Sequence, residues 1–293
     1  MTGDEQQESS RPSFRSSADG SFASSNLSGR SPLTFFVLVF TLFLPFLIFG
    51  LATNTYLFPR TPVTVLAAIC PAIAAVILVY KTDGTAAVTS LLGRSVDYKQ
   101  IRPTIWYIPV VLLLPGVVVV RYGLMQLLGL PHSLPQFSVV STLLFFGVFV
   151  IFALGEELGW MGYVIDPMQE RWGALRASIF LGVIWAILHI PLHLGHSTLV
   201  IALASLHLVG VRVVLVWLYN NTRNSVFAVV VCHAILNVMF TLFPRNSFDA
   251  WLIDTLLIAG LALALSLIWD SRTLASTRLP GWMERLGNRQ QES

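Results

Sequence analysis

Eight long apolar runs follow one another along this chain, each close to the 20 or so residues that cross a bilayer. Inside lipid the backbone cannot hydrogen-bond to water, so a continuous apolar run of this length is expected to form a helix. We therefore predict an all-α, polytopic membrane bundle. Its spans are predicted at about 34–57, 62–80, 104–125, 138–163, 176–195, 197–219, 225–243 and 250–269.

Composition agrees with an integral membrane protein. Only 11% of the 293 residues are charged and the mean hydropathy is +0.73, whereas soluble domains carry about 25% charged residues. The net charge of +3 does not indicate a nucleic-acid partner, because the basic residues lie at the ends of apolar runs. The two cysteines, Cys70 and Cys232, lie within such runs and are expected to be buried and unpaired.

The basic residues also predict an orientation. With the N-terminus in the cytoplasm, fourteen of the 18 Lys and Arg residues fall in inside segments and only Arg60 and Arg245 in outside ones. Eight spans then place both termini in the cytoplasm, and the cell membrane is the expected location. The remaining two basic residues lie within spans. Arg121 is expected to extend to the outer interface, and Arg212 lies deep enough to require a partner.

Three regions are expected along the chain. Residues 1–33 are rich in serine and predict a disordered cytoplasmic tail, residues 34–269 form the bundle, and residues 270–293 form a basic cytoplasmic tail. Within the bundle, we expect residues 81–103 to form the longest internal loop, and residues 164–175 to form a short interfacial helix.

Glu156 and Glu157 end a run that is otherwise apolar. A carboxylate at membrane depth costs roughly 2.5–3.5 kcal/mol, and two adjacent ones repel each other. One interpretation is a pair that faces interfacial water. The preferred interpretation is that one glutamate serves as a general base and the other has a structural role, because the two side chains point about 100° apart on a helix.

Two later spans carry polar residues at helical spacing. Trp185 and His189 share one helix face, and so do His233 and Asn237. These residues could form interhelical hydrogen bonds, or they could activate water together with a glutamate and stabilise an oxyanion. The predicted depths place all of them within about 10–20 Å of the cytoplasmic face. No catalytic role is expected for the other four histidines: His132, His193, His196 and His207.

These motifs resemble those of the CAAX-prenyl-endopeptidase and bacteriocin-processing (CPBP, Abi) family of intramembrane proteases. The resemblance covers residues 138–243 and rests on the Glu156–Glu157 pair, Trp185-x-x-x-His189 and His233-x-x-x-Asn237. It implies hydrolysis of a peptide bond in a membrane-associated peptide or protein near the cytoplasmic face. It also implies that Glu156 and His189 activate the water, while His233 and Asn237 stabilise the oxyanion.

Members of that family are often labelled metalloproteases. If a metal is present here, Glu156, His189 and His233 are the expected ligands, and Zn²⁺ suits such ligands. Metal-bound histidines usually have a carboxylate or carbonyl partner on the second ring nitrogen. No carboxylate partner can be assigned to His189 or His233 from sequence, so a mechanism without a required cofactor is preferred.

The sequence departs from the family at one position, where Met161 stands in place of the motif's arginine. Arg212 is predicted to lie at the same depth as Glu157 and to supply the missing charge, the alternative being that Arg212 reaches the lipid headgroups. The departure favours one alternative function, a non-catalytic membrane scaffold or immunity protein. A proton-coupled transporter is a further alternative, although the chain shows no internal repeat.

Overall fold

The computed structural model describes residues 30–53, 55–58, 61–135 and 138–275. Their main elements, in chain order, are the helices α1 (Pro32–Thr53), α2 (Cys70–Gly93), α3 (Tyr107–Leu127), α4 (Val139–Gly159), α5 (Ile165–Trp172), α6 (Ala174–His189), α7 (Thr198–Asn221), α8 (Val226–Leu242) and α9 (Phe248–Ile268). A short antiparallel ribbon, β1 (Tyr56–Phe58) and β2 (Thr61–Pro62), follows α1 and leads through a 3-10 helix, Val63–Ile69, into α2.

The predicted all-α membrane bundle is confirmed. Within the described residues, seven helical segments are long and apolar enough to cross a membrane, and α8, with 17 residues, is a shorter apolar helix. These eight segments correspond to the eight predicted spans. The orientation and the cell membrane remain predictions, and the two predicted tails lie largely outside the described residues.

The predicted loop at residues 81–103 is wrong in its first half, because α2 continues to Gly93. The polar residues after Lys81 suggested a loop, but the chain only kinks there. Gly84 adopts φ 77°, a left-handed conformation that glycine accepts without strain, and the helix then resumes. The resumed segment packs inward, since Leu91 is fully buried.

The predicted interfacial helix at residues 164–175 corresponds to α5, which continues directly from α4. A π-helical turn, Trp160–Val164, joins the two, so that residues 139–172 form one continuous helical segment. π-Helical turns are often found at functional sites because they disturb the regular backbone hydrogen bonding. This turn begins three residues after Glu157.

The centre of the bundle is formed by α4, α7 and α8. Helix α4 packs against α2 and α8, and α7 packs against α6 and α9. The second half of α7, from Gly210 to Tyr219, is buried along its whole length. Both cysteines are buried and free, as predicted.

Arg121 does not extend to the interface as predicted. Its side chain is only 2% exposed and donates to the Phe243 backbone carbonyl. It lies 3.9 Å from Asp254 of α9. A buried carboxylate on a neighbouring helix therefore holds this arginine inside the bundle.

Candidate active site

Glu156 lies at the centre of the polar cluster that the sequence predicted. It is only 8% exposed, and its Oε2 accepts a hydrogen bond of 3.0 Å from the indole N–H of Trp185. The Nε2 atom of His189 lies 3.9 Å from Oε1, and the Nε2 atom of His233 lies 3.8 Å from Oε2. Helices α4, α6 and α8 thus bring three of the four predicted catalytic residues together.

Both imidazole rings are held by a hydrogen bond on the nitrogen that faces away from Glu156. The Nδ1–H of His189 donates to the Trp185 carbonyl at 2.9 Å, and the Nδ1–H of His233 donates to Glu157 at 2.9 Å. These partners set the tautomers, which leaves the Nε2 lone pair of each neutral ring toward Glu156. The carboxylate partner that could not be assigned from the sequence is therefore Glu157, which orients His233.

Glu157 and Arg212 form a fully buried ion pair. The Nη1 atom of Arg212 donates to the two carboxylate oxygens at 2.8 and 3.1 Å, and both side chains are 0% exposed. The guanidinium lies 4.1 Å from the ring centre of Trp185. The predicted pairing of Arg212 with Glu157 is thus present. Met161, at the position of the family's arginine, is buried in the apolar core.

Asn237 is the fourth of the predicted catalytic residues. It lies one turn beyond His233 on α8 and is half-buried. Its side-chain amide makes no hydrogen bond to Glu156, His189 or His233 among the described residues, whereas its backbone carbonyl accepts from Thr241. The amide therefore stays available for a group that enters from outside the cluster.

Close helix packing positions the glutamate pair. A Cβ atom on Gly155 would lie 2.8 Å from the Ala68 carbonyl, and one on Gly159 would lie 2.5 Å from the backbone of Pro71. Only glycine permits such an approach, so the start of α2 and the 3-10 helix before it lie directly on α4. Glu156 and Glu157 sit between these two contact points.

A small cavity of about 40 Å³ reaches Glu156 and His189. That volume exceeds the 10–15 Å³ or so that one water requires. Its remaining walls are mainly apolar and come from α1, the 3-10 helix, the start of α2, the π-helical turn and α6. They include Val39, Phe43, Thr64, Val65, Pro71, Trp160 and Leu188. The sequence did not predict the contribution of the first two spans, because these residues carry no chemical signature.

Polar contacts that the sequence did not predict stabilise the end of the bundle where α8 begins. Asp97, in the segment after α2, accepts hydrogen bonds from the Ser225 hydroxyl and from the first two amides of α8, Val226 and Phe227. Burial raises the pKa of Asp97, and these hydrogen bonds oppose the rise. Because Ser225 caps the helix that carries His233, Asp97 helps to fix the register of α8.

A second anchor joins α2, α5 and α7. Arg94 donates to the Gly162 carbonyl in the π-helical turn at 2.8 Å, and also to the Tyr219 hydroxyl. Tyr219 in turn donates to Asp166 of α5 at 3.0 Å. This chain of contacts holds the π-helical turn next to the glutamate pair.

The donor atoms of the site suit a metal ion. Ligand atoms of Glu156, Glu157 and His233 all lie within 4.8 Å of one another, and His189 faces the same carboxylate. Two neutral imidazoles and a carboxylate are the ligands of many catalytic zinc sites, and a partner on Nδ1 is the usual support for such histidines.

Comparison with known proteins agrees with the motifs. Residues 137–239 match the family model described as type II CAAX prenyl endopeptidase Rce1-like. The chain is also similar to CAAX prenyl protease 2 of Methanococcus maripaludis, with 26% identity over 222 residues that cover 69% of this chain and 79% of that protein. The resemblance inferred from the three motifs is confirmed. Both matches support an intramembrane protease.

Proposed function

We propose that this protein is an intramembrane endopeptidase in which Glu156 is the general base that activates water. The observation that carries the proposal is a buried carboxylate held by an indole N–H and faced by two imidazole nitrogens. A buried base with fixed neighbours is suited to proton abstraction from water.

His189 would share this water with Glu156. Its Nδ1–H is committed to a backbone carbonyl, so Nε2 accepts. A water has two O–H groups, and the 3.9 Å between Nε2 and Oε1 is too long for a direct hydrogen bond but lets one water donate to both. That arrangement directs the oxygen lone pairs toward a scissile carbonyl carbon.

His233 and Asn237 would stabilise the oxyanion that develops on the carbonyl oxygen. The amide of Asn237 is a donor in its neutral form, whereas His233 already donates from Nδ1 to Glu157. His233 can therefore donate from Nε2 only when protonated, and Glu157 would support that imidazolium. Glu157 and Arg212 would act indirectly, by fixing the ring of His233.

Glu156, His189 and His233 would also hold a zinc ion if the enzyme requires one. Bound zinc would lower the pKa of a coordinated water and polarise the scissile carbonyl. A cofactor-free reaction was preferred from the sequence because no carboxylate partner could be assigned to His189 or His233. Glu157 is such a partner for His233, so that reason no longer applies. Metal analysis of purified active protein, with chelation and zinc re-addition, decides between the two forms. Chelation that leaves activity intact contradicts a zinc requirement.

The substrate class would be a membrane-associated peptide. The cavity beside Glu156 is mainly apolar, and at about 40 Å³ it admits water but not a peptide chain. Substrate binding would therefore displace part of the wall formed by α1 and the 3-10 helix. A prenylated C-terminal CAAX peptide is the first candidate, because it carries its own lipid anchor. A leader peptide cut at a small-residue site is the second.

The direct test is peptide hydrolysis by purified protein in detergent, with Glu156→Ala as the control. Cleavage by the wild type and none by the variant supports the proposal. Correct folding without cleavage of either substrate favours the non-catalytic scaffold. Proton-coupled uptake into liposomes without cleavage favours the transporter.

A further inference from the structure

A second buried charge cluster lies far from Glu156, near the opposite ends of the helices. Arg245, in the segment between α8 and α9, donates to Asp254 of α9 at 3.2 Å. Arg121 of α3 and His207 of α7 each lie 3.9 Å from the same carboxylate. Along α8, Phe243 beside this cluster lies ten residues from His233, which is about 15 Å by helical rise.

The cluster contains more positive than negative charge. Asp254 is 0% exposed, and among the described residues it is the one carboxylate within ion-pairing distance of either arginine. One carboxylate therefore serves two guanidinium groups. Guanidinium groups stay protonated in proteins, so both arginines carry a positive charge. Burial lowers the pKa of Arg245 to about 10, although Asp254 opposes this shift. Buried net charge is costly unless a counter-ion pairs with it.

Arg121 is the less satisfied of the two arginines. Its guanidinium donates to the Phe243 carbonyl, but its Nε has no hydrogen-bond partner within the part of the chain that the structure describes. The 3.9 Å to Asp254 is too long for a hydrogen bond. A strong donor that is 2% exposed is thus left without an acceptor.

A cavity of about 170 Å³ lies directly beside Arg121. Its other polar lining groups belong to Tyr122, His132, Ser133, Asn246 and Ser247. These residues come from the end of α3, the segment that follows it and the segment between α8 and α9, so the cavity is built from several parts of the fold. Asp254 is not among its lining residues. The cavity therefore combines a buried cation with hydroxyl and amide groups.

We propose that this cavity, which we name the Arg121 pocket, binds a phosphate group. Guanidinium groups pair with phosphate through charge-assisted hydrogen bonds, and the hydroxyl and amide groups can complete the shell. The pocket lies where α3 and α8 end, a level at which lipid headgroups surround a membrane protein. The phosphate can belong to an anionic lipid or be free in solution, and both sources present unesterified phosphate oxygens to the pocket.

Thermal unfolding of the purified full-length protein tests the proposal. Cys70 and Cys232 are buried, so a thiol-reactive fluorophore reports their exposure on unfolding. The two probes are phosphatidylglycerol in mixed micelles and inorganic phosphate. Their controls are a phosphate-free diacylglycerol lipid at matched lipid content and chloride at matched ionic strength. At a free probe concentration of about 100 times the dissociation constant, we expect Tm to rise by about 5 °C or more with at least one of the two phosphate probes.

Variants of the pocket wall separate a specific site from a general lipid effect. His132→Ala and Asn246→Ala change exposed wall residues, so the Tm without probe should stay near that of the wild type, while the probe-induced rise should fall by at least half. His196→Ala, at an exposed histidine outside the pocket, is the matched control and should keep the full rise. Arg121→Lys keeps the positive charge but loses the planar guanidinium group. A folded Arg121→Lys variant should therefore show a smaller probe-induced rise in Tm.

The outcomes identify the ligand or overturn the proposal. A rise in Tm with phosphatidylglycerol alone identifies a lipid headgroup as the ligand. A rise with inorganic phosphate alone identifies the free ion, and a rise with both probes shows that the pocket accepts phosphate from either source. No rise with either probe overturns the proposal, as does an equal rise in the wild type and both wall variants. Peptide hydrolysis is not the readout, so the result is independent of the proposed protease activity.

Discussion

Replacing Arg212 with methionine should destabilise the protein strongly, because it leaves Glu157 charged and buried without its cation. Both side chains are 0% exposed. Breaking a buried pair from one side costs roughly 3–5 kcal/mol. Glu157 keeps its hydrogen bond with His233 in the variant, so we expect the lower value, about 3 kcal/mol. For a chain of this size that corresponds to a fall in Tm of about 6–12 °C.

Removing both charges should restore most of the lost stability. In Glu157→Gln/Arg212→Met the buried charges disappear together, and a double-mutant cycle should give an interaction free energy of at least about 2 kcal/mol. Met161→Arg in the Arg212→Met background should also recover stability, because position 161 lies four residues from Glu157 and can return a cation to it.

The assay is thermal unfolding followed by thiol labelling of the two buried cysteines. Arg176→Met is the matched control, because it removes one positive charge from an exposed position. Arg212→Met that melts within about 1 °C of this control would refute the reasoning. Additive losses in the double mutant would mean that the two residues do not stabilise each other.

Three further predictions concern turnover. Glu156→Ala and His189→Ala should each abolish most hydrolysis, and the double mutant should be little worse, because residues that act on one water are non-additive; fully additive losses in kcat would exclude a shared water. Asn237→Ala should lower kcat by about 10²–10³ with KM nearly unchanged, whereas a rise in KM alone would assign Asn237 to substrate binding. Trp185→Phe removes the hydrogen bond to Glu156 while keeping an aromatic ring beside His189 and His233. It should lower kcat by about 10- to 100-fold, and an unchanged kcat would show that the indole N–H does not position the base.

The sequence predicted those parts of the molecule that follow from length, spacing and depth. Apolar runs of membrane length had to be helical, and residues four apart had to share a helix face, which placed Trp185 beside His189. The pairing of Glu157 with Arg212 was predictable because each residue requires a partner and their helical depths matched.

Contacts between spans that depend on side-chain direction were not predictable. The hydrogen bond from His233 to Glu157 connects two helices whose relative rotation the sequence does not specify. Arg121 was misplaced because Asp254, on a distant helix, was not recognised as its neighbour. The extension of α2 was missed because polar composition after Lys81 hid a helix that only kinks at Gly84.

The most direct test of the central claim is isotope labelling of the cleavage products in H₂¹⁸O. Purified wild-type protein and the isosteric Glu156→Gln variant are incubated with a prenylated CAAX peptide, and mass spectrometry follows the new C-terminal carboxylate. Water activation by Glu156 predicts one ¹⁸O atom in that carboxylate for the wild type and no detectable product for a folded Glu156→Gln. Equal cleavage by both proteins would contradict the role assigned to Glu156.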